Sequence, residues 1–222
     1  QINLKSTKGK NIALELIKNV DVFVENMRPG KAEKIGLGWK DISKINSQII
    51  YCSISAFGQD GPFKNRGAYD HVVQGMSGII TTTGTKETGP TKVGSPFIDY
   101  ATGLNAAFAI VSAIHEVKQK NKSIRLDVSM LDTSFLLMAN MVTEHLNSGW
   151  IPTPMGNEAQ SGSPASGMYS TLTSPILLAA NNNIQFFSLC DALNSIGSFD
   201  KEKWKLESVR RTKQNELRKE FQ

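Results

Sequence analysis

One carboxylate in this chain has a setting in which it could react. Asp99 lies in the stretch SPFIDYATG (95–103), after a Pro-Phe turn and before an apolar segment of small residues. An aspartate at a helix start either caps the helix, here one beginning at Tyr100 or Ala101, or serves as a nucleophile that the helix N–H groups keep ionised. The residue pattern leaves both roles open.

Other residue types that could do chemistry lack the partners that known motifs require. Neither GxGxxG nor GxxxxGK[ST] occurs, so both standard phosphate-binding loops are missing from the sequence, and no serine lies in GxSxG. The three histidines have no HExxH pairing, and we predict no metal site; they are His71, His115 and His145. Asp132 follows a predicted strand and is expected to be a helix N-cap.

Strands and helices alternate along the part of the chain that must position Asp99. Their composition and periodicity predict strands at 21–26, 48–58 and 123–130, and helices at 8–19, 69–80, from Tyr100 to about Lys118 and at 131–146. This alternation predicts an α/β fold with a doubly wound parallel sheet, a Rossmann-like large domain.

The composition changes near residue 147, which suggests a domain boundary. We predict a large α/β domain at 1–147, a linker or Gly/Ser loop at 148–167, and the start of a smaller α+β domain with a basic tail at 168–222. The last 22 residues hold eight Lys or Arg and four Glu, so most of the net charge of +5 lies there. We expect a solvated helical tail and no nucleic-acid partner, because no basic stripe is interleaved with aromatic residues.

Cysteine usage and hydropathy bear on the compartment. Cys52 and Cys190 lie in apolar contexts far apart, which predicts buried free thiols in a reducing compartment. No run of eighteen uninterrupted apolar residues and no secretory signal is visible, so we expect a cytoplasmic protein without a membrane partner. The chain opens without Met, as if inside a domain, and is expected to be an internal fragment of a longer protein.

Five blocks occur in an order and spacing that resemble the family III CoA-transferases, the group that includes formyl-CoA transferase. They are DVFVENMRPGKAEKIGLGW, NSQIIYCSISAFGQDGP, GAYDHVVQGMSG, VGSPFIDYATGL and LDVSMLD. The resemblance covers about residues 1–195. It implies that the large domain binds CoA and that Asp99 is the catalytic nucleophile, which passes through an aspartyl anhydride and an aspartyl-CoA thioester while CoA moves from an acyl-CoA donor to a carboxylic acid acceptor.

The resemblance also implies the residues that contact CoA, and no tightly bound cofactor beyond CoA or acyl-CoA as substrate. These residues are Asn26, Met27, Arg28, Lys34, Ile35 and Tyr69. Lys34 replaces a frequent arginine, which keeps a cation for a phosphate but loses the bidentate fork. Met27 replaces a residue that is often Phe or Lys.

Two further features follow from the resemblance. The loop GNEAQSGSPASG (156–167) matches the place of a glycine-rich lid in some transferases, with Gly156 and Gly162 as its candidate glycines. Its composition is also that of an ordinary loop. Family members form homodimers whose subunits are interlocked, so we expect a homodimer here.

Two alternatives to the transferase remain open. The α-methylacyl-CoA racemases share most of these blocks but carry a histidine where this chain has Tyr69. His71 is two residues away, about 200° round an ideal helix, which favours the transferase. The chain is also consistent with a non-catalytic fragment of the same fold.

Overall fold

The computed structural model describes residues 1–221. Its first part contains α1 (Thr7–Ile17), β1 (Val22–Glu25), α2 (Lys31–Lys34), α3 (Trp39–Ile45), β2 (Ile50–Ser55), α4 (Asp70–Ser77), a 3₁₀ turn (Ile79–Thr82), α5 (Phe97–Lys120), β3 (Ile124–Ser129), α6 (Met130–Leu137) and α7 (Ala139–Ser148). Its second part contains β4 (Ser166–Tyr169), β5 (Ile176–Ala179), α8 (Asn183–Asn194), α9 (Glu207–Thr212) and α10 (Gln214–Phe221).

Strands β1, β2 and β3 form a parallel sheet in that order. Ile50 of the central strand pairs with Val22 on one side and with Ile124 on the other. Almost all of β2 is buried, as expected for a parallel strand covered on both faces. The sequence-based prediction of a parallel α/β fold is therefore confirmed.

Successive residues of β2 point to opposite layers of helices. Ile50 packs with Ala113 and Val117 of α5, while Tyr51 packs with Ala13 of α1 and Ile42 of α3. This period of two places helices on both faces of the sheet, which is the doubly wound arrangement.

The helix α5 carries Asp99 at its start and rests on the sheet. Its buried residues are mostly small, including Ala106 and Ala113, which lets its axis approach β2 and β3 closely. By length and composition this helix could cross a membrane, although core helices of soluble proteins pass the same test. Its inward face contacts Cys52 and Val128, so it covers one face of the sheet.

The start of α6 differs in one detail from the prediction. Ser129, not Asp132, is the N-cap, because its Oγ accepts the backbone N–H of Asp132 at 3.0 Å. Asp132 is the third residue of the helix, and its carboxylate accepts the Ser129 hydroxyl at 2.7 Å. A serine at the strand end reaches the N–H groups of the first turn more directly than an acid inside that turn.

The chain divides into two compact units. One comprises Gln1–Thr81 with Thr91–Pro152, and the other Thr82–Pro90 with the residues from Thr153 onward. The second unit contains the antiparallel pair β4–β5 and the helices α8 to α10. The predicted domain limits at 147 and 167 stay predictions.

The basic tail is helical, as predicted, but it is not merely solvated. Trp204 and Leu217 are fully buried in a cluster with Phe186 and Cys190 of α8. The indole Nε1–H of Trp204 donates to Glu220 at 2.6 Å. The expectation of a solvated tail was wrong because the apolar residues between its charges form part of the core of the second unit.

Candidate active site

Asp99 lies in the first turn of α5, with its side chain exposed. The helix begins at Phe97, earlier than predicted, so Asp99 is its third residue and does not occupy the N-cap position. Pro96 occupies that position and makes no side-chain capping hydrogen bond. Of the two roles that the residue pattern left open for Asp99, the cap of a helix starting at Tyr100 or Ala101 is therefore excluded.

The capping acid is Asp70, at the start of the neighbouring helix α4. Its Oδ2 accepts the backbone N–H of Ile98 at 2.8 Å and that of Asp99 at 3.2 Å. Asp70 is only 7% exposed, so the first turn of α5 is held by a buried carboxylate from another element. The carboxylate of Asp99 itself is left free to act.

An apolar cluster beneath the site fixes the two helices against each other. Val73 of α4 and Ile98 of α5 are fully buried there, together with Ala56 after β2 and Met130 at the start of α6. Ile98 immediately precedes Asp99, so the side chain that anchors the turn and the carboxylate that points outward are consecutive residues. A packed core of this kind resists displacement of the turn.

The electrostatic setting of Asp99 differs from the one expected. Partial burial and the negative charge of Asp70 both raise the pKa of Asp99 above its ordinary value. A helix start was expected to favour the ionised form. The N–H groups of Ile98 and Asp99 instead donate to Asp70, so they do not stabilise the charge on Asp99.

A cavity of about 210 Å³ lies at the carboxyl ends of β1 and β2. This edge of a parallel sheet is where α/β proteins commonly bind ligands. The cavity brings together four of the predicted CoA-contacting residues, which are Asn26, Met27, Arg28 and Tyr69. A larger cavity of about 470 Å³ lies at the opposite end of the sheet and is lined by none of the predicted site residues.

The loop that carries Arg28 is a tight turn. The N–H of Lys31 donates to the carbonyl of Arg28 at 3.0 Å, and Gly30 has a φ of 80°, which favours glycine. The guanidinium of Arg28 lies against the backbone of Gly67, where a Cβ would come within 2.7 Å of Arg28 Nε. Gly67 therefore leaves the space that the Arg28 side chain occupies.

Arg66 is a cavity residue that the sequence reasoning missed. It lines the cavity with Arg28 and also lies over the ring of Phe63, at 4.8 Å from the centroid. It comes directly before the block GAYDHVVQ, and the distance in sequence from Arg28 concealed their proximity. Two guanidinium groups at one cavity favour an anionic ligand.

Lys34 and Ile35 do not line this cavity. Lys34 is the last residue of α2 and is exposed, while Ile35 follows it and packs against the apolar cluster that contains Leu37. Their predicted contact with CoA stays a prediction.

The position of His71 differs from the one predicted. Tyr69 has extended backbone angles and precedes α4, so the spacing of an ideal helix does not apply to it. The rings of Tyr69 and His71 are nearly parallel, with centroids 6.3 Å apart, and both side chains are exposed. The prediction that His71 lies about 200° round the helix from Tyr69 is therefore wrong.

The candidate lid belongs to the second unit. Gly156 and Gly162 have φ angles of 59° and 64°, and the N–H of Gly156 donates to the carbonyl of Gly84 at 2.7 Å. Movement of this loop over an active site stays a prediction. Within residues 1–221, no group of three or more His, Cys, Asp or Glu residues could hold a metal ion.

Comparison with known proteins decides the family. The model of the family described as CoA-transferase family III matches residues 1–222. The chain belongs to this family. The resemblance in the five sequence blocks is thereby confirmed.

Individual relatives of this family III chain support the assignment. The human succinyl-CoA:glutarate CoA-transferase is 34% identical over 97% of this chain, and the Acetobacter aceti acetyl-CoA:oxalate CoA-transferase is 32% identical over 87% of it. The crystal structure of a CAIB/BAIF family protein from Brucella suis matches 98% of the chain with a TM-score of 0.87 and 32% identity. The chain covers 49%, 50% and 57% of these three proteins, so it spans about half the length of the relatives that it matches.

Asp70 is a second residue of the candidate site, after Arg66, that the sequence analysis did not single out. It stands next to Tyr69 in GAYDHVVQ, and Gln74 follows it by four residues, a spacing that lets two side chains meet on a helix. That spacing could have indicated a buried polar pair. It could not have shown that Asp70 reaches the backbone of Asp99, which is 29 residues away.

Proposed function

We propose that the protein moves CoA from an acyl-CoA donor to a carboxylic acid acceptor, with Asp99 as the nucleophile. The observation that carries this proposal is an exposed Asp99 carboxylate on a turn whose backbone is held by buried Asp70. Tyr69, which precedes Asp70, lines the cavity that also contains Arg28. Membership of CoA-transferase family III and the names of the relatives support the same activity.

The proposed reaction proceeds through three covalent intermediates on Asp99, which are an anhydride, a thioester and a second anhydride. An oxygen of Asp99 attacks the thioester carbonyl carbon, the C–S bond breaks, and CoA thiolate leaves a mixed anhydride on Asp99. The thiolate then attacks the aspartyl carbonyl, which releases the donor carboxylate and leaves an aspartyl-CoA thioester. The acceptor carboxylate attacks that thioester to form a second anhydride, and the thiolate attacks its acyl carbon. A new acyl-CoA departs and the Asp99 carboxylate is restored.

Residues around the cavity are proposed to bind CoA. Arg28 would pair with its phosphates, and Asn26 offers an amide for hydrogen bonds. Met27 and Tyr69 offer apolar and aromatic surface. Lys34 is proposed as a further phosphate contact because its ammonium group is exposed, and Ile35 as an apolar contact through its exposed part. CoA acts here as a substrate, and we propose no tightly bound cofactor.

The acceptor is proposed to be a dicarboxylic acid. Glutarate and oxalate stand in the names of the human and the Acetobacter aceti relatives, and both compounds are dicarboxylic acids. A second carboxylate on the acceptor requires a cation, and Arg66 is a guanidinium that the sequence blocks did not assign to CoA.

A transfer assay tests this proposal. Succinyl-CoA, acetyl-CoA and formyl-CoA are each incubated with glutarate or oxalate, and the CoA esters are separated and identified by mass spectrometry. The proposal predicts a new CoA ester from at least one pair. Formation of none, by a folded protein, would contradict it.

An isomerase is a second candidate because one observation favours it. His71 lies beside Tyr69, so an imidazole is available near the position where the racemases carry their histidine. Deuterium incorporation at the α-carbon of 2-methylacyl-CoA in D₂O measures this activity. Clear exchange without CoA transfer would establish the isomerase in place of the transferase.

We also propose a homodimer in the cytoplasm. Four large apolar side chains, Tyr100, Leu104, Phe108 and Val111, form an exposed stripe along α5 at spacings of one helix face. A second subunit would remove this stripe from water. The proposed compartment has separate support, because two buried free cysteines suit a reducing compartment such as the cytoplasm. The dimer is tested by its mass. Sedimentation equilibrium measures the mass, and a monomer at micromolar concentration would contradict the dimer.

A further inference from the structure

Gln74 connects Asp70 to the segment that leads into α5. Its side chain is 1% exposed. Its Nε2 donates to Asp70 Oδ1, and its Oε1 accepts the backbone N–H of Val93 at 2.9 Å. Both ends of this buried amide therefore have partners, one in its own helix and one just before α5.

The result is a continuous polar connection from Val93 to the turn of Asp99. Asp70 uses one carboxylate oxygen for Gln74 and the other for the N–H groups of Ile98 and Asp99. Gln74 and Asp70 thus hold the chain on both sides of Pro96, where it has no regular structure before the helix begins. Packing of Ile98 in the apolar cluster holds the first turn of α5 against the core. The hydrogen bonds that Asp70 accepts from this turn are directional, so they fix its rotation about the helix axis.

We propose that the buried Asp70–Gln74 pair is a positioning device that sets the direction of the Asp99 carboxylate toward the thioester. The inference rests on the proposed role of Asp99 as the nucleophile. Neither Asp70 nor Gln74 needs to touch the substrate for this role. A displacement of the nucleophile by about 1 Å can lower a rate by about 10²-fold, which makes the orientation of this turn consequential.

Asp70 also has an electrostatic effect that separates it from a purely structural cap. The elements packed against α5 present several charged or titratable groups, namely Asp70 and His71 on α4, Asp132 on α6, Arg125 and Asp127 on β3, and Tyr51 and Cys52 on β2. Among the described residues, Asp70 is the one whose charge raises the pKa of Asp99. Removing the charge of Asp70 should lower the pKa of Asp99. Loosening the turn while that charge remains should leave the pKa of Asp99 raised.

Paired variants separate position from charge. Asp70→Asn keeps one acceptor for the N–H groups of Ile98 and Asp99, but it turns an amide donor toward the Nε2 donor of Gln74. The double variant Asp70→Asn with Gln74→Glu restores that hydrogen bond with its polarity reversed and retains an acceptor for Val93. It moves the negative charge one side chain further from Asp99. Asp41→Asn, at the exposed third residue of α3, is the control for replacing an aspartate by asparagine outside α4 and α5.

The experiment measures acylation of Asp99 by succinyl-CoA, acetyl-CoA or formyl-CoA over a range of pH, together with amide hydrogen exchange at Ile98 and Asp99. We expect D70N to acylate about 10- to 100-fold more slowly, with faster exchange at both amides. The double variant should recover most of the rate, with the acid limb of its pH profile below that of the wild type. D41N should change none of these quantities. Gln74→Met removes the side-chain hydrogen bonds to Asp70 and Val93 without adding charge, and it should also slow acylation. It provides the test if D70N does not fold.

The possible failures are distinguishable. If the wild type acylates Asp99 and both D70N and Q74M keep its rate within about twofold, the positioning role is wrong and the proposed function stands. If the wild type forms no acyl adduct, the proposed function fails. Amide exchange then tests whether Asp70 holds the turn. Unchanged protection of the Ile98 and Asp99 amides in D70N would overturn the proposed positioning role, and lost protection would support it.

Discussion

The carboxylate of Asp70 accepts the backbone N–H of Asp99 at 3.2 Å, so two acids from adjacent helices meet at one turn. The buried acid takes the helix N–H groups and the exposed acid keeps its oxygens free. The arrangement raises the pKa of Asp99, which makes the ionised carboxylate more basic than an ordinary aspartate. A more basic carboxylate is a stronger nucleophile as long as the pH stays above its pKa.

Replacing Asp99 by asparagine should abolish CoA transfer and spare the fold. The amide has nearly the same shape but cannot form the anhydride, so we expect kcat to fall by at least about 10³-fold. Thermal unfolding should change little, because the side chain is exposed and makes no capping bond. Asp41→Asn serves as the control and should retain full activity. A D99N protein with more than a tenth of the wild-type rate would contradict the role of Asp99.

The pH dependence of transfer should report the raised pKa of Asp99. Since the nucleophile must be ionised, the rate should fall as the pH drops through that pKa, at a pH above the ordinary aspartate value of 3.8. In Asp70→Asn the acid limb should move toward lower pH, because one of the two causes of the shift is removed. Initial rates between about pH 4 and pH 8 measure this. An acid limb that does not move in D70N would show that the charge of Asp70 does not act on the nucleophile.

Gly67→Ala should weaken CoA binding without unfolding the protein. A Cβ at this position would lie 2.7 Å from Arg28 Nε, so the guanidinium must move away from its present place. Loss of one charge-assisted hydrogen bond costs roughly 1.5–3 kcal/mol, which corresponds to a rise in KM for the acyl-CoA of about tenfold or more. The control is Gly197→Ala, where an added Cβ meets no atom within 4 Å. An unchanged KM in G67A would remove Arg28 from the CoA site.

Trp204→Ala should destabilise the second unit by about 3–5 kcal/mol, since a fully buried indole leaves a cavity when it is truncated. The same change also removes the donor to Glu220. Leu206→Ala, two residues along and 62% exposed, should change the free energy of unfolding by less than about 0.5 kcal/mol. Urea unfolding followed by far-UV circular dichroism measures both. Equal, small effects would mean that the tail is solvated after all.

Both thiols should be nearly inert in the folded protein. Burial raises the pKa of Cys52 to about 11 and that of Cys190 to about 11. At pH 8 only about one thousandth of each would be thiolate, and neither is accessible to a reagent. Ellman's reagent should therefore label two thiols in urea and almost none under native conditions. Fast labelling of the native protein would contradict the burial of these residues.

Much of the first unit was predictable because its signals are local. The apolar run around Tyr51 predicted a buried central strand, and the segment after Asp99 predicted a long helix. Both rest on periodicity, which one sequence contains in full. The starts of helices were less predictable. The N-cap of α5 is Pro96 and that of α6 is Ser129, and each lies a few residues before the aspartate that was expected to cap the helix.

The relations within the site depend on contacts between distant segments. Asp70 reaches Asp99 only because Val73 and Ile98 pack in one core, which no spacing rule expresses. The stacking of His71 on Tyr69 follows from an extended residue just before α4, where helical periodicity does not hold. Likewise, the buried position of Trp204 was hidden by the charges around it.

The most direct measurement is the mass of the peptide that contains Asp99 after reaction. The protein is incubated with succinyl-CoA, acetyl-CoA or formyl-CoA in the presence of hydroxylamine, digested, and analysed by tandem mass spectrometry. An anhydride or thioester at Asp99 is trapped as a hydroxamate, so we predict that modification at Asp99 and at neither Asp70 nor Asp132. A folded protein that transfers CoA but shows no hydroxamate at Asp99 would contradict the account.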